Sequence, residues 1–223
     1  MDNIINVIFM LPALLVAVIF HEVAHGYIAY KFGDNTAKLE GRLTINPIPH
    51  IDPLGSIILP VLLLAAGSPF LFGWAKPVPI NPFNFKKIDI RKGMAITALA
   101  GPITNFTLAV IFAFLLKSFK NQEFIASLIS IFGTGIIESI VLPILIFLKY
   151  AVMVNLILFI FNILPIPPLD GGRVIMSLVS PELERKLEPL EQYGFFIIIL
   201  LLFLGIINKI IFPIYEFFMN ILI

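Results

Sequence analysis

The chain contains no cysteine, which excludes disulfides and thiolate metal sites and leaves His, Asp and Glu as possible metal ligands. Charge is scarce too: only 13% of residues are Asp, Glu, Lys or Arg, well below the share in soluble domains. The net charge of +1 carries no basic excess and argues against a nucleic-acid partner. There is no internal repeat and no low-complexity tract. No basic segment precedes the first apolar run, so that run reads as a retained helix rather than a removable signal peptide. What is abundant is apolar mass. With 59% hydrophobic residues and a mean hydropathy of +1.02, the chain reads as an integral membrane protein. Its 223 residues suffice for one compact bundle without a separate soluble module.

Apolar runs and their breakers divide the chain into segments. Residues 1–32 predict a first spanning helix. Residues 33–92 are polar and proline-rich; alternation at Leu39, Leu43 and Ile45, and again at Val78 and Ile80, predicts short strands with an edge strand near 76–80. Within them, 57–66 is apolar but short, which fits a re-entrant or interfacial hairpin, and Trp74 reads as an interfacial anchor. Residues 93–118 predict a second span, and 124–132 are too short to cross alone. Residues 136–173 hold a third span followed by a proline-rich exit. Lys149 interrupts that span and is expected in a polar interior or against another chain. A charged amphipathic piece at 181–193 leads into a final helix over 193–221. The expected fold is an all-α membrane protein: a bundle of about four to six transmembrane segments with a small membrane-associated β or re-entrant region.

The chemistry is concentrated within the first span, in His21-Glu22-Val23-Ala24-His25. At 3.6 residues per turn His21 and His25 share a face and can grip one ion, while Glu22 points about 100° away, toward a water on that ion. Ionisable groups are costly in hydrocarbon, so an idle role for all three is disfavoured. Two imidazoles need a third protein ligand and an open position for water. Asp170 is the candidate, because Gly171-Gly172 let the backbone turn tightly behind it and Pro165, Pro167 and Pro168 end the preceding helix. Both segments lie at one depth if 55–72 does not fully cross. On that topology eleven Lys and Arg flank one face and two the other, which makes the first face cytoplasmic and opens the site toward it. His50 reads either as a gating or auxiliary group contacting substrate or the open metal position, or as a loop histidine bonded to Asp52.

His-Glu-x-x-His in a first core helix, with Asn-x-x-Pro and Leu-Asp-Gly-Gly in a later one, resembles the site-2 protease family of intramembrane zinc metalloproteases. The match is to its short prokaryotic form, without PDZ or CBS domains. The resemblance implies one zinc ion per chain on His21, His25 and Asp170, with Glu22 as general base. Gly101-Pro102-Ile103-Thr104-Asn105 looks like the family's Gly-Pro-x-x-Asn segment. It implies that Asn105 faces the active site, polarising the scissile carbonyl or holding the substrate strand, and Asn162 matches the asparagine before the prolines. Implied partners are transmembrane protein substrates in the lipid bilayer of the cell membrane. Asn105 has a plain alternative as a tie between helices, and Asn162 as a partner for carbonyls freed by the prolines. Two other functions compete: a membrane zinc transporter, and a catalytically silent membrane-protein binder. Transporters usually show repeats, absent here, and a silent binder has no need of Glu22.

Overall fold

Three helices carry the apolar mass in the computed structural model, which describes residues 2–59, 61, 62 and 75–223. Helix α1 (Asp2–Phe32), helix α3 (Ile90–Phe119) and helix α5 (Leu142–Asn162, entered by a π-turn over Ile137–Val141) are each long and apolar enough to cross a membrane. They pack pairwise against one another. Ala13, Ala17, Ala98, Ala109, Ala113 and Ala151 are buried where they meet, because small side chains let backbones approach closely where lipid gives no hydrophobic drive. The polar caps follow the usual logic: Asp89 accepts the first amides of α3, and Asn121 those of the short helix α4 (Gln122–Phe132).

Between α1 and α3 the chain makes a helical turn, α2 (Thr36–Leu39), a 3-10 turn (Ile48–His50) and a π-turn (Pro53–Ile58). The amides of Lys86 and Lys87 then donate to the Phe32 carbonyl at 2.9 and 3.3 Å. The end of α1 and the start of α3 therefore lie on the same face, as the depth argument requires. Trp74, and residues 60 and 63–66 of the stretch proposed to re-enter the membrane, lie outside the described residues.

After α5 the proline-rich exit leads into helix α6 (Asp170–Leu178), which packs on α3. Its macrodipole is complemented at both ends. Asp170 stands at the N-terminus, and the Arg91 guanidinium donates to the C-terminal carbonyls of Met176 (3.1 Å), Ser177 (3.2 Å) and Val179. Arg91 also pairs with Glu184 of helix α7 (Pro181–Phe203) at 3.3 Å. Helix α8 (Ile206–Leu222) returns along the bundle, where Phe218 meets Phe106 and Phe159 at ring separations of 5.4 and 6.0 Å.

Three expectations are corrected and one is narrowed. The single C-terminal helix over 193–221 is two helices bent by 76°, with Gly205 between them at φ +70, a conformation only glycine adopts freely. No strand forms among the described residues. In 76–80 Pro77 and Pro79 lack amide protons, the Lys76 amide goes to the His50 carbonyl (2.9 Å) and the Val78 amide to the Glu22 carboxylate (2.7 Å), so no ladder can be built. Gly171 and Gly172 do not make a tight turn behind the carboxylate but form the first turn of α6. A Cβ at 171 would lie 2.3 Å from the Ile163 carbonyl oxygen, so the pair serves close approach. Lys149 is exposed on α5, which removes the polar interior and leaves contact with another chain as its reading.

Candidate metal centre

His21 and His25 project from one face of α1 into its junction with α3 and α6, and both are buried. The groups behind them settle which nitrogen carries the proton. His25 Nδ1 lies 2.7 Å from the Thr97 carbonyl, which can only accept, so that nitrogen is protonated and in the neutral ring Nε2 is bare. His21 Nδ1 lies 2.6 Å from Asn105 Oδ1. The Asn105 amide nitrogen donates to the Ala17 carbonyl (3.0 Å) and to Asn155 Oδ1 (2.9 Å), so its oxygen is the atom left for His21. His21 is therefore also protonated on Nδ1.

Two bare Nε2 atoms now face each other at 3.0 Å. Asp170 Oδ2 lies 3.1 Å from the first and 3.3 Å from the second, is itself buried and makes no hydrogen bond. Three lone pairs converging without a donor repel one another, and one shared proton could serve only two of them. A divalent cation satisfies all three. Zinc holds ligands at about 2.0–2.1 Å, which sets tetrahedral donor–donor edges near 3.3–3.4 Å, close to the separations here. Gly101 completes the cradle: a Cβ there would lie 2.3 Å from His25 Nε2 and 2.6 Å from His21 Nε2, so α3 offers no side chain where the lone pairs meet. Among the described residues His21, His25 and Asp170 are the group able to hold a metal.

Glu22 stands beside the triad, partly exposed, in a cleft of about 180 Å³. His21, His25, Asp170, Asn162, Arg173 and a strap formed by Pro77, Val78 and Ile80 line the same cleft. The strap is tied down along its length. Arg42 Nη2 donates to the Lys76 carbonyl (2.6 Å), the Val78 amide reaches Glu22, and the Asn81 amide donates to the buried Asp34 (2.7 Å). Asp34, two residues past α1, also accepts from the Thr36 amide (3.0 Å), the Thr36 hydroxyl (2.5 Å) and Asn84 Nδ2 (2.9 Å). Burial pushes its carboxyl up, but the bonds from Asn84, Thr36 and Asn81 outweigh that and hold it below the usual carboxylate range.

The sequence-derived residues are thus distributed as follows. His21, His25, Asp170 and Glu22 come together, and Asn162 lines the cleft while its side chain bonds the Leu158 carbonyl at 3.0 Å. Asn105 is fully buried behind His21 with both amide protons engaged, so in this arrangement it has no donor for a scissile carbonyl. His50 is buried away from the cleft, with Nε2 at 2.9 Å from the Thr44 carbonyl rather than on Asp52. Asn155 and the amide of Val78 were missed. An amide in the middle of an apolar span was a visible signal for the first; nothing in the sequence marks the second.

Apolar spans enclosing a metal-ready His–His–Asp group beside the Glu22 carboxylate define a membrane-embedded metallohydrolase. The sequence profile of "Peptidase family M50" matches residues 9–206, and the chain belongs to that family. It is 42% identical to the "Putative zinc metalloprotease YwhC" of Bacillus subtilis over 193 residues, 86% of this chain and 79% of that protein. It is 31% identical to the "Putative zinc metalloprotease Rip2" of Mycolicibacterium smegmatis over 212 residues, 95% of this chain and 73% of the relative. A more distant match, 32% identical over 157 residues, is the "Putative zinc metalloprotease MJ0611" of Methanocaldococcus jannaschii, covering 70% of this chain and 63% of that protein. No solved structure matches the chain.

Proposed function

We propose that this chain is an intramembrane zinc metalloprotease that hydrolyses peptide bonds in or near the transmembrane segments of other proteins. The observation that carries this reading is the set of three bare lone pairs, on His21, His25 and Asp170, buried inside a helical bundle and flanked by Glu22. His21 Nε2, His25 Nε2 and Asp170 Oδ2 would hold the zinc ion. Bound there, zinc supplies Lewis-acid polarisation of the scissile carbonyl and makes water acidic enough to attack near neutral pH.

The chain's own side chains do the rest. Glu22 takes a proton from the attacking water, whose oxygen bonds to the carbonyl carbon, and returns that proton to the amine as the carbon–nitrogen bond breaks. The Val78 amide, 2.7 Å from Glu22 Oε2, keeps the carboxylate turned into the cleft. A cleft of about 180 Å³ is too small for a helical segment 10–12 Å across. Substrate therefore enters as an extended chain, unwound locally from its own helix, with polar groups such as Asn162 and Arg173 lining its path. The excess of Lys and Arg on the face where α1 ends supports a multi-pass protein of the cell membrane whose site opens to the cytoplasm.

Purified protein in detergent, assayed for bound zinc and for cleavage of a helical membrane peptide, tests the reading. Wild-type protein is expected to hold one zinc per chain and to cut, and Glu22→Gln to keep the zinc while cleavage falls at least about 10²-fold, the scale of a lost general base. Full activity in Glu22→Gln would overturn it, as would zinc uptake into vesicles without any cleavage.

A further inference from the structure

Asn155 lies within α5, is fully buried, and has no part in the chemistry above. Its hydrogen bonds nevertheless lead to the metal site, and their polarity is fixed from both ends. Asn155 Nδ2 donates to the Ala151 carbonyl at 2.8 Å, an atom that can only accept. Its Oδ1 must then face the other way, where Asn105 Nδ2 donates to it at 2.9 Å. The same nitrogen donates to the Ala17 carbonyl at 3.0 Å, so two acceptors on two different helices claim both protons of one amide. Only the Asn105 oxygen is left for His21 Nδ1, at 2.6 Å. A reversed Asn105 amide would place its oxygen against Ala17 and Asn155 oxygens, and its N–H groups against His21, which would favour the opposite tautomer and put the proton on Nε2.

We propose that Asn155 is a positioning residue for the metal centre: by accepting from Asn105 it locks that amide in one orientation, and so keeps His21 Nε2 bare for the cation. This deepens the reading of the metal centre and rests on it. His25 needs no such relay, because the Thr97 backbone carbonyl fixes it directly. The two ligands are thus set by different means, His25 by main chain and His21 by two side chains in series across α1, α3 and α5. A tie between helices, the plain role for a buried asparagine in a bundle, accounts for packing but not for the polarity of the chain of bonds.

The test uses zinc alone as probe, titrated against a chelator on the full-length protein in detergent, with melting temperature and peptide cleavage read in parallel. Asn155→Leu, close to isosteric, removes the acceptor and is expected to weaken zinc binding about 10–100-fold, the usual cost of losing an outer-shell partner, while Asn155→Asp, protonated in this buried position so that it keeps an oxygen facing Asn105 and a hydroxyl facing the Ala151 carbonyl, stays within about threefold of wild type. Equal zinc affinity in wild type and Asn155→Leu would overturn the relay, as would equal losses in the Leu and Asp variants. A variant-free measurement guards against misfolding. The chain has only three histidines, so nitrogen-15 imidazole spectra of metal-free wild type can assign each tautomer. His21 is expected as the Nδ1-protonated form, and the Nε2-protonated form would overturn the proposal. Wild type that binds no zinc would instead sink the metal-centre reading, and the spectra would still judge the relay.

Discussion

Gly101 illustrates how much of this site is decided by single atoms. The atom that alanine would add lies 2.3 Å from His25 Nε2, inside the space where three donors converge. Gly101→Ala is therefore expected to lower zinc affinity by at least about tenfold, measured by chelator competition, while the long helix around it persists. Legibility in the sequence varies from residue to residue for a physical reason. His21, Glu22 and His25 are local, and one helical period places them. Asp170 was found because a carboxylate directly after a span is rare and had to lie at the depth of the imidazoles. The position of Asn105 was legible as well, but its direction was not. Which end of an amide faces a histidine 84 residues away depends on the carbonyl of Ala17 and on Asn155, neither of which any motif marks.

The strap across the cleft stays in place through polar anchors rather than through a strand pairing of its own. Alternation at Val78 and Ile80 is genuine, but a strand needs a neighbour, and the donors of this one are spent on Glu22 and His50. Asp34 is the main anchor, accepting four bonds from Thr36, Asn81 and Asn84. Replacing it by Asn puts an N–H group against donors and is expected to cost about 1.5–3 kcal/mol, read as a lower unfolding midpoint in detergent at pH 7. The sign of its pH dependence follows from a carboxyl depressed in the folded state. Its contribution is complete above the unfolded value near 3.9 and fades as pH falls through the lower folded value, so the gap between wild type and Asp34→Asn should narrow below about pH 4. The three long spans were legible to within a few residues, whereas α6 and the start of α7 at Pro181 were not. The break at Gly205 was not, because one glycine in an apolar run is tolerated as often as it ends a helix, and the bend depends on α8 finding its seat on α3 and α5.

Taken whole, the molecule has one polar end and one nearly bare of cations. Helix α3 spans 30 residues, about 45 Å of rise, which places Lys92 and Lys120 on opposite sides of a bilayer core of roughly 30 Å. A cysteine-free chain makes this simple to check. Lys92→Cys should react with a membrane-impermeant maleimide only from the cytoplasmic face, and Lys120→Cys only from the other; labelling of both from one side would refute the topology. Lys149 sits midway along the Ile137–Asn162 span, about 18 Å of rise from its start, so its exposed ammonium needs a polar neighbour or another chain at that depth. That α1 ends where α3 begins was legible because the shared depth of two motifs demands it, whereas the paths of connecting loops carry no such constraint. The proline pair in the strap has a last consequence at this scale. With rings at 77 and 79 and the amides of 76 and 78 already engaged, residues 76–79 present no free backbone N–H to anything outside. An intruding chain would find carbonyls but no donor along those four residues, which leaves a neighbouring copy no two-way ladder to extend there.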